Sequence, residues 1–227
     1  MVNPSVPRLL YWSAMRKADR WSQSVRNWLA PVILASKGTC PTCTNQVRFF
    51  AKHPWLRDHF LCPVCHSIPR ERALMWTIEN HFPEWRTAII HESSPIERGA
   101  SVRLAREAAS YIPSQYFPQH PPGAMVGRFR NENLELLSFA DESIDLHVSQ
   151  DVLEHILNPD RAFREIARTL RPGGAHIFTV PLVRKHLPSR ARARQLEDGS
   201  VVHDLFAQYH GSPVSEEGAL VTMDWGF

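Results

Sequence analysis

An α/β fold built on an open, mainly parallel sheet, with a small metal-stapled module in front of it, is what this sequence predicts, and three observations predict it. All four cysteines fall in two Cys-Pro-x-Cys pairs, Cys40-Pro-Thr-Cys43 and Cys62-Pro-Val-Cys65. From Trp85 onward, short apolar runs alternate with helical patterns, the mark of βαβ units. Within that stretch Ile144 to Ser149 reads as a buried strand, Asp160 to Leu170 as a helix stopped by Pro172-Gly173-Gly174, and Ala175 to Val180 as the next strand. With 227 residues, 43% of them hydrophobic and 22% charged, the chain can build one substantial core and an accessory module.

Four units follow in order. Residues 1–37 form an N-terminal helical segment: Arg8 to Ser36 carries Leu9, Trp12, Trp21, Val25, Trp28, Leu29 and Val32 among Arg and Lys at near-helical spacing. A Trp-rich basic helix suits packing against the body of the protein or a second copy of the chain, and peripheral contact with a membrane is the rarer use. Residues 38–68 form a zinc ribbon. The 18 residues between the cysteine pairs fit a short hairpin that brings four thiolates onto one ion, a closed and therefore structural site. Two disulfides, disfavoured in a cytosolic chain, or a redox Cys-x-x-Cys, which would not need a second copy, are the competing readings. The sequence has no run of about 18 apolar residues and no charged-then-apolar leader, which places it in the cytoplasm. Val47, Phe49, Phe50, Trp55 and Phe60 are too few for an independent core, so the metal supplies much of the ribbon's folding energy. Residues 69–84 form a connecting helix, with Leu74, Met75, Ile78 and Phe82 at helical spacing before Pro83.

Residues 85–227 form the α/β domain, opening with a strand over Thr87–His91, a helix over Ser101–Ala109 and a short strand at Tyr111-Ile112. Right-handed crossovers place ligands at the carboxyl ends of such strands, here the segments opening at Ser149 and Pro181. The net charge of +3 is too small to demand nucleic acid.

Phe139-Ala-Asp-Glu-Ser-Ile-Asp145, Leu146-His-Val-Ser-Gln-Asp-Val-Leu-Glu-His155, Arg168-Thr-Leu-Arg-Pro-Gly-Gly174 and Ile177-Phe-Thr-Val-Pro181 together resemble the class I S-adenosylmethionine-dependent methyltransferases of type 11. The likeness covers about residues 86–182. It is nearest a bacterial subgroup with an N-terminal zinc ribbon followed by a Ser-x-x-Arg-x-Arg-like segment, here Ser67-Ile-Pro-Arg-Glu-Arg72. It implies a Rossmann-like, doubly wound sheet, trimmed at its C-terminal edge or completed by a partner or by a longer sequence. It also implies S-adenosylmethionine as cofactor beside structural zinc. Mapped by motif, the cofactor residues would be Glu92, Ser93, Ser94 and Gly99 after the first strand, Ser114 and Gln115 after the second, Asn133 and Leu134 at the adenine, and Gln150 and Asp151 after the fourth. The family's first motif is an acidic residue and a Gly-x-Gly loop; here Glu92 is followed by Ser93-Ser94-Pro95, so the loop must take another shape.

Methyl transfer is an in-line displacement, which needs alignment and, for a hydroxyl or amine acceptor, a base. His155, with Glu154 beside it after the fourth strand, and His210 in Tyr209-His210-Gly211 are the candidate catalytic bases; capping or packing roles suit them equally. Arg184, Lys185, Arg190, Arg192 and Arg194 form a basic run where the family places a substrate-covering loop. The resemblance implies a small-molecule or glycan-precursor acceptor. The alternatives are RNA, with Arg48, Lys52, His53, Trp55 and Arg57 as a basic aromatic zinc face, or a non-catalytic assembly protein with a degenerate cofactor loop.

Overall fold

The structure, a computed structural model, describes residues 31–211 and 217–227. The helix expected over residues 8–36 therefore lies largely outside the described residues, and its end is corrected: Leu34–Thr39 is strand β1. It pairs antiparallel with β2, Gln46–Ala51, from Leu34 opposite Ala51 to Thr39 opposite Gln46. The Cys40–Cys43 turn closes this hairpin, and cross-strand pairing overrides the local helical spacing. The ribbon thus begins before residue 38. A single helical turn, α1 (Leu56–His59), leads into β3 (Phe60–Leu61), which pairs with β2 and delivers the second cysteine pair.

The connecting helix α2 runs Pro69–His81. Proline at its first position pre-sets φ, and the Glu71 carboxylate accepts from the Ile68 backbone N–H at 3.1 Å, capping the N-terminus. A short 3₁₀ turn, Pro83–Arg86, follows; the Thr87 hydroxyl donates to the Glu84 carbonyl at 3.0 Å, so the first strand of the domain starts two residues later than the apolar pattern suggests.

That strand is β4, Ile89–Ser93. Helix α3 (Gly99–Glu107), strand β5 (Ser110–Gln115), a hairpin of β6 (Met125–Val126) with β7 (Phe129–Asn131), strand β8 (Ile144–Gln150), helix α4 (Pro159–Thr169) and strand β9 (Leu170–Thr179) complete the sheet. Its order is β6-β7-β5-β4-β8-β9, with every pair parallel except β6 with β7. In α4, the Asn158 side chain accepts from the Arg161 N–H at 3.0 Å and Pro159 opens the helix. Pro172-Gly173-Gly174 does not separate α4 from β9 as a turn; it sits inside β9 as a bulge, where pairing with β8 jumps from Ile144–Leu170 to Leu146–Ala175. Gly174 permits this, since a Cβ there would lie 2.9 Å from the carbonyl oxygens of both Arg171 and Asp145.

Strand alternation gives the sheet two unlike faces. Ile90, Leu146 and Val148 face α2 and α3, packing with Leu74, Met75, Ile78, Trp85, Ala100 and Leu104 in the main core. On the other face α4 contributes Ala162 and Ile166 to a second core with Leu134, Leu137, Leu153 and Trp225. The doubly wound arrangement expected from the sequence is present. The basic run is not a covering loop: Arg184 belongs to the strand Leu182–Arg184, and Arg190 and Arg192 pair with Asp224 at 3.1 and 3.0 Å. Asp224 lies in a C-terminal strand, Met223–Gly226, that pairs with Leu182–Arg184 and Arg190–Ala191. No described helix is long and apolar enough to cross a membrane.

Candidate cofactor crevice and metal centre

From β4 the chain steps outward to β5 and β7, then returns to the opposite side of β4 for β8 and β9. The order reverses between β4 and β8, and ligands of open α/β sheets bind outside the carboxyl ends of the strands at that point. Ser93, Ser94, Gln150 and Asp151 stand there, with Gln115 at the end of β5. Ser94 adopts the left-handed conformation, φ 54°, where the family's glycine would sit. Its backbone N–H donates to the Ser114 carbonyl at 2.9 Å and its hydroxyl to Gln115 Oε1 at 3.0 Å. Gln115 Nε2 and Gln150 Oε1 are buried without a hydrogen-bond partner. One unused donor and one unused acceptor flanking this loop fit a polar ligand, and the amino-acid and ribose parts of S-adenosylmethionine are of that kind. Glu92 lies beneath the loop. It is fully buried and accepts from Ser101 Oγ at 2.6 Å, Tyr111 Oη at 2.7 Å and Gln150 Nε2 at 3.1 Å. Burial pushes its carboxyl above the ordinary range, and these three donors oppose the shift.

Other residues expected at the cofactor are engaged elsewhere. Ser114 Oγ bonds His91 Nε2 at 2.7 Å, within the sheet. Gly99 opens α3 at φ 60°, and a Cβ there would lie 2.4 Å from Glu71 Oε2, so it serves close packing against α2. Asn133 Oδ1 accepts from the Glu135 N–H at 2.9 Å, closing its own turn, and Leu134 belongs to the second core. Asp151, with φ 51°, accepts from Thr179 Oγ1 at 3.0 Å and pairs with Arg57 of the ribbon and with Arg70 Nε at 3.3 Å. The pairing of the two arginines with Asp151 is hidden from the sequence, because nothing local tells which carboxylate they will meet.

A ladder across the sheet was equally hidden. His91, His147 and His176 occupy one register on β4, β8 and β9. The Thr169 hydroxyl donates to the Glu165 carbonyl at 2.9 Å, so it accepts from His147 Nε2–H at 2.8 Å. His147 Nδ1 must then accept from His91 Nδ1–H at 2.8 Å, leaving His91 Nε2 to accept from Ser114. Burial holds His147 down at about 3 and His176 at about 4, and His91 well below the usual imidazole value.

The predicted bases meet beyond β8. His155 Nδ1–H donates to the Leu220 carbonyl at 2.8 Å, which leaves the lone pair on Nε2. Its ring meets that of His210 edge-on at 5.3 Å, and burial lowers its pKa. Glu154, 1% exposed, has both carboxylate oxygens unpartnered, with Oε1 at 3.9 Å from His155 Nε2. Burial pushes it up to about 8, with its own backbone N–H opposing, Asp151 adding, and Arg57 and Arg70 opposing more weakly. His210 also lines a cavity of about 410 Å³ with Arg184, Arg190, Arg192 and Asp224. A second hollow, of about 360 Å³ by Phe82 and Pro172, lies at the amino ends of β4 and β8, away from the switch point.

The four cysteines converge, all four sulfurs within 4.8 Å of one another. Cys40 and Cys65 sulfurs are 3.8 Å apart, as are those of Cys43 and Cys62. Zinc–sulfur bonds of about 2.3 Å in a tetrahedron require sulfurs about 3.8 Å apart, so the donor set fits zinc. The two turns match: Thr44 N–H donates to the Cys40 carbonyl at 2.8 Å and His66 N–H to the Cys62 carbonyl at 3.0 Å, each with positive φ. Burial opposes ionisation of Cys40, yet Ser67 and the Cys43 and Thr42 N–H groups hold it at about 6; burial and the Cys40 charge push Cys65 up to about 12. All four would ionise so close together only around a cation.

Residues 102–178 match the family model described as a methyltransferase domain. An uncharacterized methyltransferase of Mycobacterium sp. (strain JLS) is 31% identical over 80 residues, covering 34% of this chain and 32% of that protein, so the match spans about a third of the relative's length. Among solved structures, an S-adenosylmethionine-dependent methyltransferase from Mesorhizobium loti is 18% identical, with a TM-score of 0.41 over 66% of this chain and 74% of that one. The YcgJ protein of Bacillus subtilis is 17% identical, with a TM-score of 0.36 over 45% and 46%. The likeness to methyltransferases is carried by the segment from Val102 to Phe178, about a third of the chain.

Proposed function

We propose that the protein binds S-adenosylmethionine at the crevice between β4 and β8 and directs methyl transfer to a small-molecule or glycan-precursor acceptor, with the four cysteines holding a structural zinc ion. The observation that carries this reading is the pair of unpartnered buried amides, Gln115 Nε2 and Gln150 Oε1, on either side of the Ser93-Ser94 loop at the switch point. The family match over residues 102–178 supports it. When bound, the cofactor supplies an electrophilic methyl carbon on a sulfonium. The chain's part is positioning. Gln150 Oε1 would accept from, and Gln115 Nε2 donate to, the cofactor's polar ends, while Ser94 holds the loop against β5. His155, neutral and with Nε2 unprotonated, and His210 on the cavity wall are the groups that would receive an acceptor proton. Arg184, Arg190 and Arg192 outnumber Asp224 in that cavity, which favours an acceptor carrying phosphate or carboxylate.

Titration calorimetry of the zinc-loaded protein with S-adenosylmethionine tests the reading. Binding is expected in the micromolar range or tighter, weakened about tenfold by Gln150→Ala, the loss of one hydrogen bond to a buried polar group. An absence of heat, together with an unchanged melting temperature at millimolar cofactor, would refute it.

A further inference from the structure

We propose that Glu154, His155 and His210 form a second metal site, distinct from the four cysteines, that takes a divalent ion of the zinc, iron or manganese type. Each residue offers one ligand atom, and the three atoms lie within 4.8 Å of one another. Two imidazoles and one carboxylate are the donor set of catalytic zinc and of non-haem iron sites, which keep at least one position open for water or substrate. Bonds of about 2 Å place neighbouring ligands about 3 to 3.5 Å apart, so the side chains would close in by about 1 Å.

Two features point to a ligand rather than to packing. The first is the state of Glu154: 1% exposed, both oxygens unpartnered, beside a histidine whose free Nε2 lies 3.9 Å from Oε1. A carboxyl group buried in that way is an outlier that a cation would resolve. The second is the way the ligands are held. His155 Nδ1–H is fixed on the Leu220 carbonyl, the outer hydrogen bond that orients a metal-binding imidazole and leaves Nε2 to the ion. Leu220 pairs with Tyr209, and Ala219 with His210, so one short hairpin carries both that carbonyl and the third ligand. Thr222 ties the hairpin back, its N–H and hydroxyl both reaching the Glu154 carbonyl, at 2.7 and 3.1 Å.

His210 also lines the arginine-bearing cavity, so the ion stands at its wall. Joined to the methyl-transfer reading, on which this role alone rests, the ion would bind and acidify an acceptor hydroxyl whose proton passes to bulk water through the open cavity, and the two imidazoles would then hold the metal in place of the proton-accepting role given them above.

The test uses the full chain with its cysteine site filled with zinc, and Co²⁺ as the probe. The expected result is uptake of one Co²⁺ per chain with visible ligand-field bands and no thiolate charge-transfer band. Glu154→Gln and His210→Ala should each weaken uptake about a hundredfold or more, beyond the loss seen for outer-shell partners. Wild-type uptake no tighter than that of both variants, or a spectrum carrying the thiolate band, overturns the proposal. No donor or acceptor is present in this measurement, so its failure leaves the methyl-transfer reading standing, and a failed cofactor titration leaves this one standing.

Discussion

Acidification should unfold this protein partly through its histidine ladder, and His147 lets the contribution be measured. In the folded chain burial holds His147 at about 3, against an ordinary value of 6.5. A base depressed on folding is bound by more protons in the unfolded state below pH 6.5, so its contribution is lost as pH falls from about 6.5 towards 3. Between pH 7 and pH 5 one such imidazole removes about 2 kcal/mol of stability, with a slope near 1.2 kcal/mol per pH unit at pH 5.5. Glu92 and Glu154 act in the opposite sense: their folded values are raised above 4.5, so their contribution fades as pH rises. The net slope of the wild type is therefore a partial cancellation, and the informative quantity is a difference. His147→Gln keeps an amide that can donate to Thr169 but cannot charge. Urea unfolding at several pH values, zinc-saturated, should show the variant less stable than wild type at pH 7 and closing that gap by about 2 kcal/mol at pH 5. A gap that stays constant over this range would refute the reasoning, because the imidazole would then have the same affinity for protons folded and unfolded.

Two further outcomes are expected. Chelating the metal should abolish hydrogen-exchange protection in β2 while β8 keeps its own, since the ribbon's buried cluster of Cys40, Phe49 and Cys62 is too small to persist alone; equal protection of β2 before and after would contradict it. Gly99→Ala should destabilise by about 1 to 3 kcal/mol in urea unfolding, because a Cβ would sit 2.4 Å from Glu71 Oε2 at a φ of 60°, dislodging the carboxylate that caps α2; a change under about 0.5 kcal/mol would show that α2 and α3 shift freely.

The parts of this molecule that could be read from the sequence are those set by local chemistry. The Cys-Pro-x-Cys turns carry their geometry in four residues, and the spacing of Leu74, Met75 and Ile78 writes the buried stripe of α2 directly. The β8–α4–β9 crossover is equally plain, although its proline and glycines form a bulge where a turn was expected, since whether Gly174 turns or packs depends on the Asp145 carbonyl across the sheet. What escaped were the polar partnerships made across the sheet and between distant segments. His91 and His147 are 56 residues apart and look like two unremarkable polar residues in two strands, until register puts their rings at hydrogen-bond distance. The basic run after β9 reads as a substrate-covering loop because its counter-charge, Asp224, comes 32 residues after Arg192.

The position of the ribbon gives those long-range contacts a joint meaning. Arg57 comes from the ribbon's helical turn and Arg70 from the first turn of α2, and both reach Asp151, the residue that follows β8 in a left-handed conformation. A non-glycine residue holds that conformation only when its surroundings over-determine it, at a cost of about 1 kcal/mol or more. Asp151 is the immediate neighbour of Gln150, whose buried Oε1 has no partner, and lies three residues before Glu154, which begins the histidine-bearing cluster. Arg103 of α3 adds a second tie, donating to the Pro41 carbonyl inside the first cysteine turn. The four-cysteine module is therefore fastened at the carboxyl ends of the central strands, beside the candidate crevice, and the arginines that fasten it bear on the residue between the two candidate sites. If the cysteines hold zinc as proposed, removing it would loosen the ribbon that carries Arg57, leaving Asp151 with Arg70 and Thr179 against the strain of its backbone.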